Sequence, residues 1–230
     1  MHVHGRTDGS ITQLAARLTD CEISLRWGGN RVAGAINGEV KLLNGLEQLQ
    51  IFKEKGVPCP EFLLPNTPIT LPIEGGVVWL ARKAEHTQGR DILVVGGPRE
   101  RGRRRWPNSD FFVKYIPDVV GEWRFHILKG ESIARGQKFW AGNGPEPTVV
   151  PTIRSRRNNW HIRHDSKPPK GLRTLAKKAV EAVGYDLGAV DILQLADGSG
   201  VVLEVNSRPA IRDEYTLGQY EKAFRKLATL

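Results

Sequence analysis

Two short runs, Ala189-Val190-Asp191-Ile192-Leu193 and Val202-Leu203-Glu204-Val205-Asn206, joined through the turn Asp197-Gly198-Ser199-Gly200, decide how this chain is read. Their β-branched and apolar residues favour strands, and the glycine-containing turn closes them into a hairpin over residues 188–195 and 201–206. Side chains alternate along a strand, so Glu204 and Asn206 share one face, and Asp191 on the partner strand can join them. Carboxylate and amide oxygens among apolar neighbours are costly unless something compensates them. Two carboxylates and an amide oxygen suit Mg²⁺, a hard cation that keeps several waters and accepts phosphate oxygens. The competing reading of the same pattern is an edge hairpin whose polar faces are simply solvated.

Outward from this hairpin the chain alternates helical and strand patterns. Leu172, Leu175, Ala176, Ala179, Val180 and Val183 recur at helical spacing and stop at Gly184, while Tyr220, Ala223, Phe224 and Leu227 give a closing helix. Residues 77–82, 91–95, 111–116 and 123–128 are rich in Val, Ile, Phe and Trp, and Lys129-Gly130 reads as a tight hairpin turn. Near the start, Ser10-Ile11-Thr12-Gln13 resembles a capping box ahead of Leu14, Ala15 and Leu18. A second helix is expected from Asn44, with Glu47 three residues on, to Gly56. Pro58, Pro60, Pro65, Pro68 and Pro72 mark a joint. The expected organisation is therefore an α/β (α+β) chain with a short N-terminal segment, 1–64, a middle portion of mostly antiparallel sheet, 65–112, and a C-terminal portion, 113–230, that carries the polar hairpin.

The 230 residues carry a formal net charge of +9, which favours acidic partners such as nucleotides, nucleic acids or polycarboxylates. No apolar run is long enough to span a bilayer, and a cytoplasmic protein without membrane partners is expected. Cys21 and Cys59 are too few for a disulfide framework and are read as small buried thiols. His2 with His4, and His161 with His164, lack the Cys or acidic partners of a zinc set, and Trp27 is read as core.

Three basic stretches each carry two readings. Residues 82–92 take a strand ending in Arg82 and Lys83 into a polar loop, Thr87-Gln88-Gly89, where backbone N–H groups and cations could surround phosphates; the alternative is an ordinary solvated hairpin. Residues 99–105 hold five Arg and one Glu, either a solvated loop or a contact for an acidic substrate or macromolecule. Arg154-Ser155-Arg156-Arg157-Asn158-Asn159-Trp160-His161 could clamp a nucleic acid by stacking or hold a substrate. His126 shares a strand face with Arg124 and is expected to point into a cleft.

Taken in order, these features resemble the ATP-grasp superfamily of carboxylate–amine ligases, particularly the ribosomal-protein glutamate ligase group and shorter phage-type relatives. The resemblance runs through Gly56-Val57-Pro58, Thr87-Gln88-Gly89, Phe112-Val113-Lys114-Tyr115-Ile116, Glu122-Trp123-Arg124, Asp191, and Leu203-Glu204-Val205-Asn206-Ser207-Arg208-Pro209. It implies two lobes around a nucleotide cleft, with residues 65–112 as the lid. It also implies ATP and Mg²⁺ as cofactors and ligation of a carboxylate to an amine through an acyl phosphate, the acceptor including acidic peptides. By the same resemblance Arg82 or Lys83, with Gln88 and Gly89, meets the phosphates; Val113, Lys114 and Tyr115 hold adenine; and Glu122 holds ribose. Arg124, with Arg154 or Lys138, meets the γ-phosphate and the intermediate, and Asp191, Glu204 and Asn206 bind Mg²⁺. Lys114 stands where the family often has glutamate, and Arg208-Pro209-Ala210 where it often has small residues. The reading from a different class is a non-catalytic, basic nucleic-acid-binding protein.

Overall fold

Hydrogen bonding divides the strands into three sheets in the computed structural model, which describes residues 1–5, 9–64, 77–84, 92–95, 109–147 and 152–229. Strand β1 (His2–Gly5), helix α1 (Gly9–Arg17) and strand β2 (Ser24–Trp27) form a parallel βαβ unit at the N-terminus. Ile11, Leu14 and Leu18 fall three or four residues apart and pack with Leu25 and Trp27. The same cluster takes in Leu217, Tyr220 and Phe224 of the last helix, α4 (Glu214–Ala228), so the two ends of the chain share one core.

Helix α2 (Gly45–Glu54) starts where the sequence places it. The Asn44 side chain accepts from the Glu47 N–H at 3.0 Å, and Glu47 Oε2 accepts from the Asn44 N–H at 2.9 Å. Gly56, at φ +66°, follows its end. Strands β3 (Phe62–Leu63), β4 (Trp79–Arg82), β5 (Leu93–Val95) and β6 (Phe111–Lys114) then build an antiparallel sheet in the order β3-β6-β4-β5. Divisions at 64/65 and 112/113 pass through this sheet, because β3 and β6 are hydrogen-bonded into it and belong with β4. Pro65, Pro68 and Pro72, the Thr87-Gln88-Gly89 loop and the 99–105 segment lie outside the described residues.

The third sheet positions the chemistry. Strands β7 (Val119–Leu128), β8 (Glu131–Trp140), β9 (Trp160–Arg163), β10 (Leu187–Leu195) and β11 (Gly200–Asn206) are antiparallel, in the order β11-β10-β7-β8-β9. Lys129 and Gly130 join β7 to β8 with φ of 47° and 76°, the positive pair that a two-residue hairpin turn demands. On one face, helix α3 (Leu172–Ala182) buries Leu172, Ala176, Ala179 and Val180 against Trp123, Phe125, Ile127, Val190 and Ile192. Alternation sends the residues between these, Glu122, Arg124, His126 and Asp191, to the other face. At one end of that face α4 lies over β8, and its Tyr220 OH sits 2.8 Å from His126 Nδ1. His126 is thus buried beneath a helix rather than turned into a cleft.

Candidate functional site

Strand register brings the charged residues together. Asp191 stands opposite Arg124 on β7 and opposite Glu204 on β11. Arg124 Nε and Nη2 donate to Asp191 Oδ1 and Oδ2, both at 2.7 Å, which is the bidentate geometry that fits guanidinium to carboxylate. Lys138 Nζ donates to the Glu122 carboxylate and to the Arg154 backbone carbonyl at 3.0 Å, and it reaches Asp191 Oδ2 at 3.5 Å. Glu122 and Asp191 are each 4% exposed, so these contacts offset a large loss of hydration.

The charge states follow from this packing. Burial opposes ionisation of Asp191, but Arg124 and Lys138 outweigh it and hold the carboxyl well below the ordinary range. Burial likewise works against Arg124 and Lys138; Asp191 with Glu122 keeps both cations firmly protonated. For Glu122 burial wins, and its carboxyl is pushed up despite Lys138. His126, desolvated and beside Arg124, is pushed down to about 3 and is neutral.

Glu204 and Asn206 sit beside this cluster, with Asn206 Nδ2 donating to Glu204 Oε1 at 2.9 Å. That bond leaves Glu204 Oε2 and the Asn206 amide oxygen without a partner among the described residues. Among those residues no three His, Cys, Asp or Glu side chains converge as a metal set. A cation here would rest on two carboxylates, an amide oxygen and oxygens brought by a ligand, a donor set that fits Mg²⁺. Asp191 is compatible with a shared role, since each carboxylate oxygen has two lone pairs.

Across from Glu204, β4 of the second sheet supplies Arg82. Its guanidinium is buried 5.8 Å from the Phe111 ring, and its Nε has no hydrogen-bond partner. Burial pushes the group down and the nearby Glu204 carboxylate pushes it back up. Strand alternation sends Lys83 the other way, where its Nζ lies 3.5 Å from Asp110 Oδ1. The structure therefore separates two residues that stand as alternatives in the sequence.

The remaining candidates fall as follows. In the Val113-Lys114-Tyr115 segment Val113 is core, Lys114 N–H donates to Glu61 O at 2.8 Å, and Tyr115 N–H donates to Val78 O at 2.9 Å. Lys114 Nζ pairs with Glu61 Oε2 at 2.8 Å, away from the ion cluster. Glu122, read from the sequence as the ribose ligand, stands with Lys138 in that cluster, its carboxylate 4% exposed and engaged there. The Arg154 guanidinium lies over the Trp160 ring at 5.0 Å, and only its carbonyl touches the cluster, through Lys138. Gln88 and Gly89 are outside the described residues. Residue spacing carries no sign of the Glu122–Lys138 and Arg124–Asp191 pairings, which depend on strand order.

No protein-family profile matches the sequence, and no curated protein does. Solved structures resemble it in three dimensions. One is the ATP-grasp ligase PsnB complexed with minimal precursor, Mg and ADP, at 17% identity and a TM-score of 0.60, covering 85% of this chain and 63% of that one. Another is D-alanine–D-alanine ligase from Bacillus anthracis, at 12% identity and a TM-score of 0.56, covering 81% and 68%. A third is N5-carboxyaminoimidazole ribonucleotide synthetase from Thermotoga maritima, at 14% and 0.53, covering 82% and 49%. The likeness at these identities is one of fold, and this chain spans less than two thirds of the PsnB chain.

Proposed function

We propose that this chain, which has the ATP-grasp fold, uses ATP and Mg²⁺ to join a carboxylate to an amine. The observation that carries the reading is the buried Arg124–Asp191–Lys138–Glu122 cluster, flanked by the free oxygens of Glu204 and Asn206 and by the unpartnered Nε of Arg82.

A carboxylate is a poor electrophile with a poor leaving group. Transfer of the γ-phosphoryl group onto it gives an acyl phosphate, whose carbonyl an amine attacks as phosphate leaves. Such chemistry needs charge placed where phosphoryl oxygens will sit, with no nucleophilic Ser or Cys. Glu204 and Asn206 with Asp191 would hold Mg²⁺, which would supply positive charge against the phosphate oxygens. Arg82 offers Nε to a phosphate oxygen, the hydrogen bond it lacks in the free protein. Asp191 fixes the orientation of Arg124 through two bonds, so little freedom is lost when Arg124 meets an anion. Glu122 holds Lys138 in place. Residues 113–115 face adenine, and because the Lys114 and Tyr115 N–H groups are engaged, recognition uses other groups of that segment. The PsnB complexes contain precursor peptides, which supports a peptide as one partner here. The 99–105 segment is assigned to covering an acidic acceptor.

Calorimetry with Mg·ATP tests the reading. Charged hydrogen bonds are worth about 1.5–3 kcal/mol, so the double variant Arg82→Ala, Lys83→Ala should bind about 10-fold or more weakly. Arg82→Ala alone should account for most of that loss, given the opposite directions of the two side chains. Unchanged affinity would sink the assignment. Phosphate release with pools of amino acids and peptides, followed by product mass, then identifies the acid and the amine. Binding of nucleic acid, falling steeply with salt and without Mg·ATP binding, would favour the non-catalytic reading.

A further inference from the structure

The main sheet has a second face, and helix α3 lies mainly over its β10, β11 and β7 strands. Register places Gln137 of β8 opposite Trp123 of β7, on the α3 side, and alternation puts Phe139 there as well. Across the next ladder Gln137 stands opposite Arg163 and Phe139 opposite His161, so four side chains of β8 and β9 share that face. The Arg154–His161 stretch is thereby divided. Trp160, opposite Trp140, turns to the side of Lys138 and the ion cluster, and His161 turns away from it.

These four residues form an open platform. The Phe139 and His161 rings lie 6.3 Å apart at 53°, and the Arg163 guanidinium lies 5.9 Å from the Phe139 centroid. Arg163 Nε and Nη2 both donate to Gln137 Oε1, at 3.3 and 2.9 Å, which holds the guanidinium beside the ring. Phe139 is half-buried, while His161 and Arg163 are exposed. The chain that leaves this platform is basic. Residues 161–180 hold six Lys and Arg against one acid, Asp165, whose Oδ1 lies 3.9 Å from Arg163 Nε. Lys167, Lys170 and Arg173 are exposed and make no ion pair among the described residues. Chain length alone keeps Lys167 within about 14 Å of Arg163. Helix stability does not explain these cations, because the first turn of α3 has no acid and cations near a helix N-terminus oppose its dipole.

We propose that this face binds single-stranded nucleic acid, with bases stacked on His161, Phe139 and Arg163 and phosphates met by Lys167 and Lys170. Rings beside a guanidinium offer stacking that only unpaired bases reach, and the excess of cations matches the phosphate backbone. A duplex keeps its bases stacked inside, so the platform would gain only phosphate contacts from it. The face is the reverse of the one carrying Arg124, Asp191 and Lys138, so the assignment stands apart from the ligase reading and both ligands can be bound at once.

Fluorescence anisotropy of the full chain would use a short labelled oligouridylate, the matching oligothymidylate and a duplex of equal length, with polyglutamate and anionic vesicles as competitors. The single strands should bind about 10-fold or more tightly than the duplex. The variant His161→Ala, Arg163→Gln should weaken that binding about 10-fold or more. Lys167→Gln, Lys170→Gln should weaken binding of every strand and reduce the slope of log K against log salt by about 1.4, which is about 0.7 for each lost phosphate contact. Both variants should keep the wild-type Mg·ADP affinity and unfolding transition. Tighter binding of oligouridylate identifies RNA through its 2′-hydroxyls, and equal binding assigns the face to either kind of strand. The proposal is overturned if neither single strand binds at low salt, if the duplex binds as well, or if polyglutamate or vesicles displace the strand as effectively as unlabelled strand does. It is equally overturned if both variants keep wild-type affinity, which would place the contact elsewhere on the chain.

Discussion

Asp191 and Glu204 face each other across two strands, yet their replacement should have different consequences. Asp191 is the bidentate counter-charge of buried Arg124, and Asp191→Asn strands that cation while Lys138 keeps Glu122; breaking a buried pair from one side costs about 3–5 kcal/mol, to be read from urea unfolding. Glu204 has no cation within ion-pair distance among the described residues, so Glu204→Gln should fold normally and cut ATP turnover by about 100-fold or more, the effect of losing a few kcal/mol of charge stabilisation in the transition state. Wild-type turnover in a folded Glu204→Gln protein would refute the cation site. His126 gives a separate test. Its folded pKa is depressed to about 3, whereas an unfolded histidine takes up its proton near pH 6.5. The unfolded chain thus binds the extra proton, so the stability contribution is complete above about pH 6.5 and falls by roughly 1.4 kcal/mol per unit as pH drops towards 3. Between pH 7.5 and 5.0 the wild type should lose about 2 kcal/mol more than His126→Gln does; equal losses would show that burial of His126 does not carry the effect.

Elements whose signals are local are legible in the sequence. Helix α2 is bounded by Asn44, Glu47 and Gly56, all within a few residues of its ends, and Asn44→Ala should cost about 1 kcal/mol in denaturant unfolding with little change in turnover. Helix α3 announces itself by period, and the β7–β8 hairpin by Lys129-Gly130. Strand β9 is not legible, because Trp160–Arg163 is a strand only through pairing with Gln137–Trp140. The parallel pairing of β1 with β2 is equally hidden, since it needs α1 packed across both. The candidate site divides the same way. Alternation within β11 puts Glu204 beside Asn206, but Arg124 meets Asp191 only because β10 enters the sheet next to β7, a fact of topology that period cannot express.

At the scale of the molecule, one residue ties the N-terminal unit to the main sheet. Asn37, fully buried at φ 56°, accepts from the N–H groups of Asp186 and Leu187 at 2.8 and 3.0 Å and donates to Leu187 O at 2.7 Å. Its own N–H donates to Asp186 Oδ2 at 3.0 Å. Asn37→Ala would leave buried backbone groups unpaired, and a loss of about 2–4 kcal/mol is expected in urea unfolding; a loss below about 0.5 kcal/mol would show that water replaces the side chain. The insertion of β10 between β11 and β7 also sets an order of assembly. Strands β7 and β8 are neighbours in the chain and can pair within microseconds. Lys138 meets the Glu122 carboxylate within that hairpin, whereas Arg124 must wait for a carboxylate 67 residues further on. Contacts of that separation close late, so during synthesis a nascent chain carries Arg124 unmatched until residue 191 has emerged, and the oxygens of Glu204 and Asn206 arrive later still.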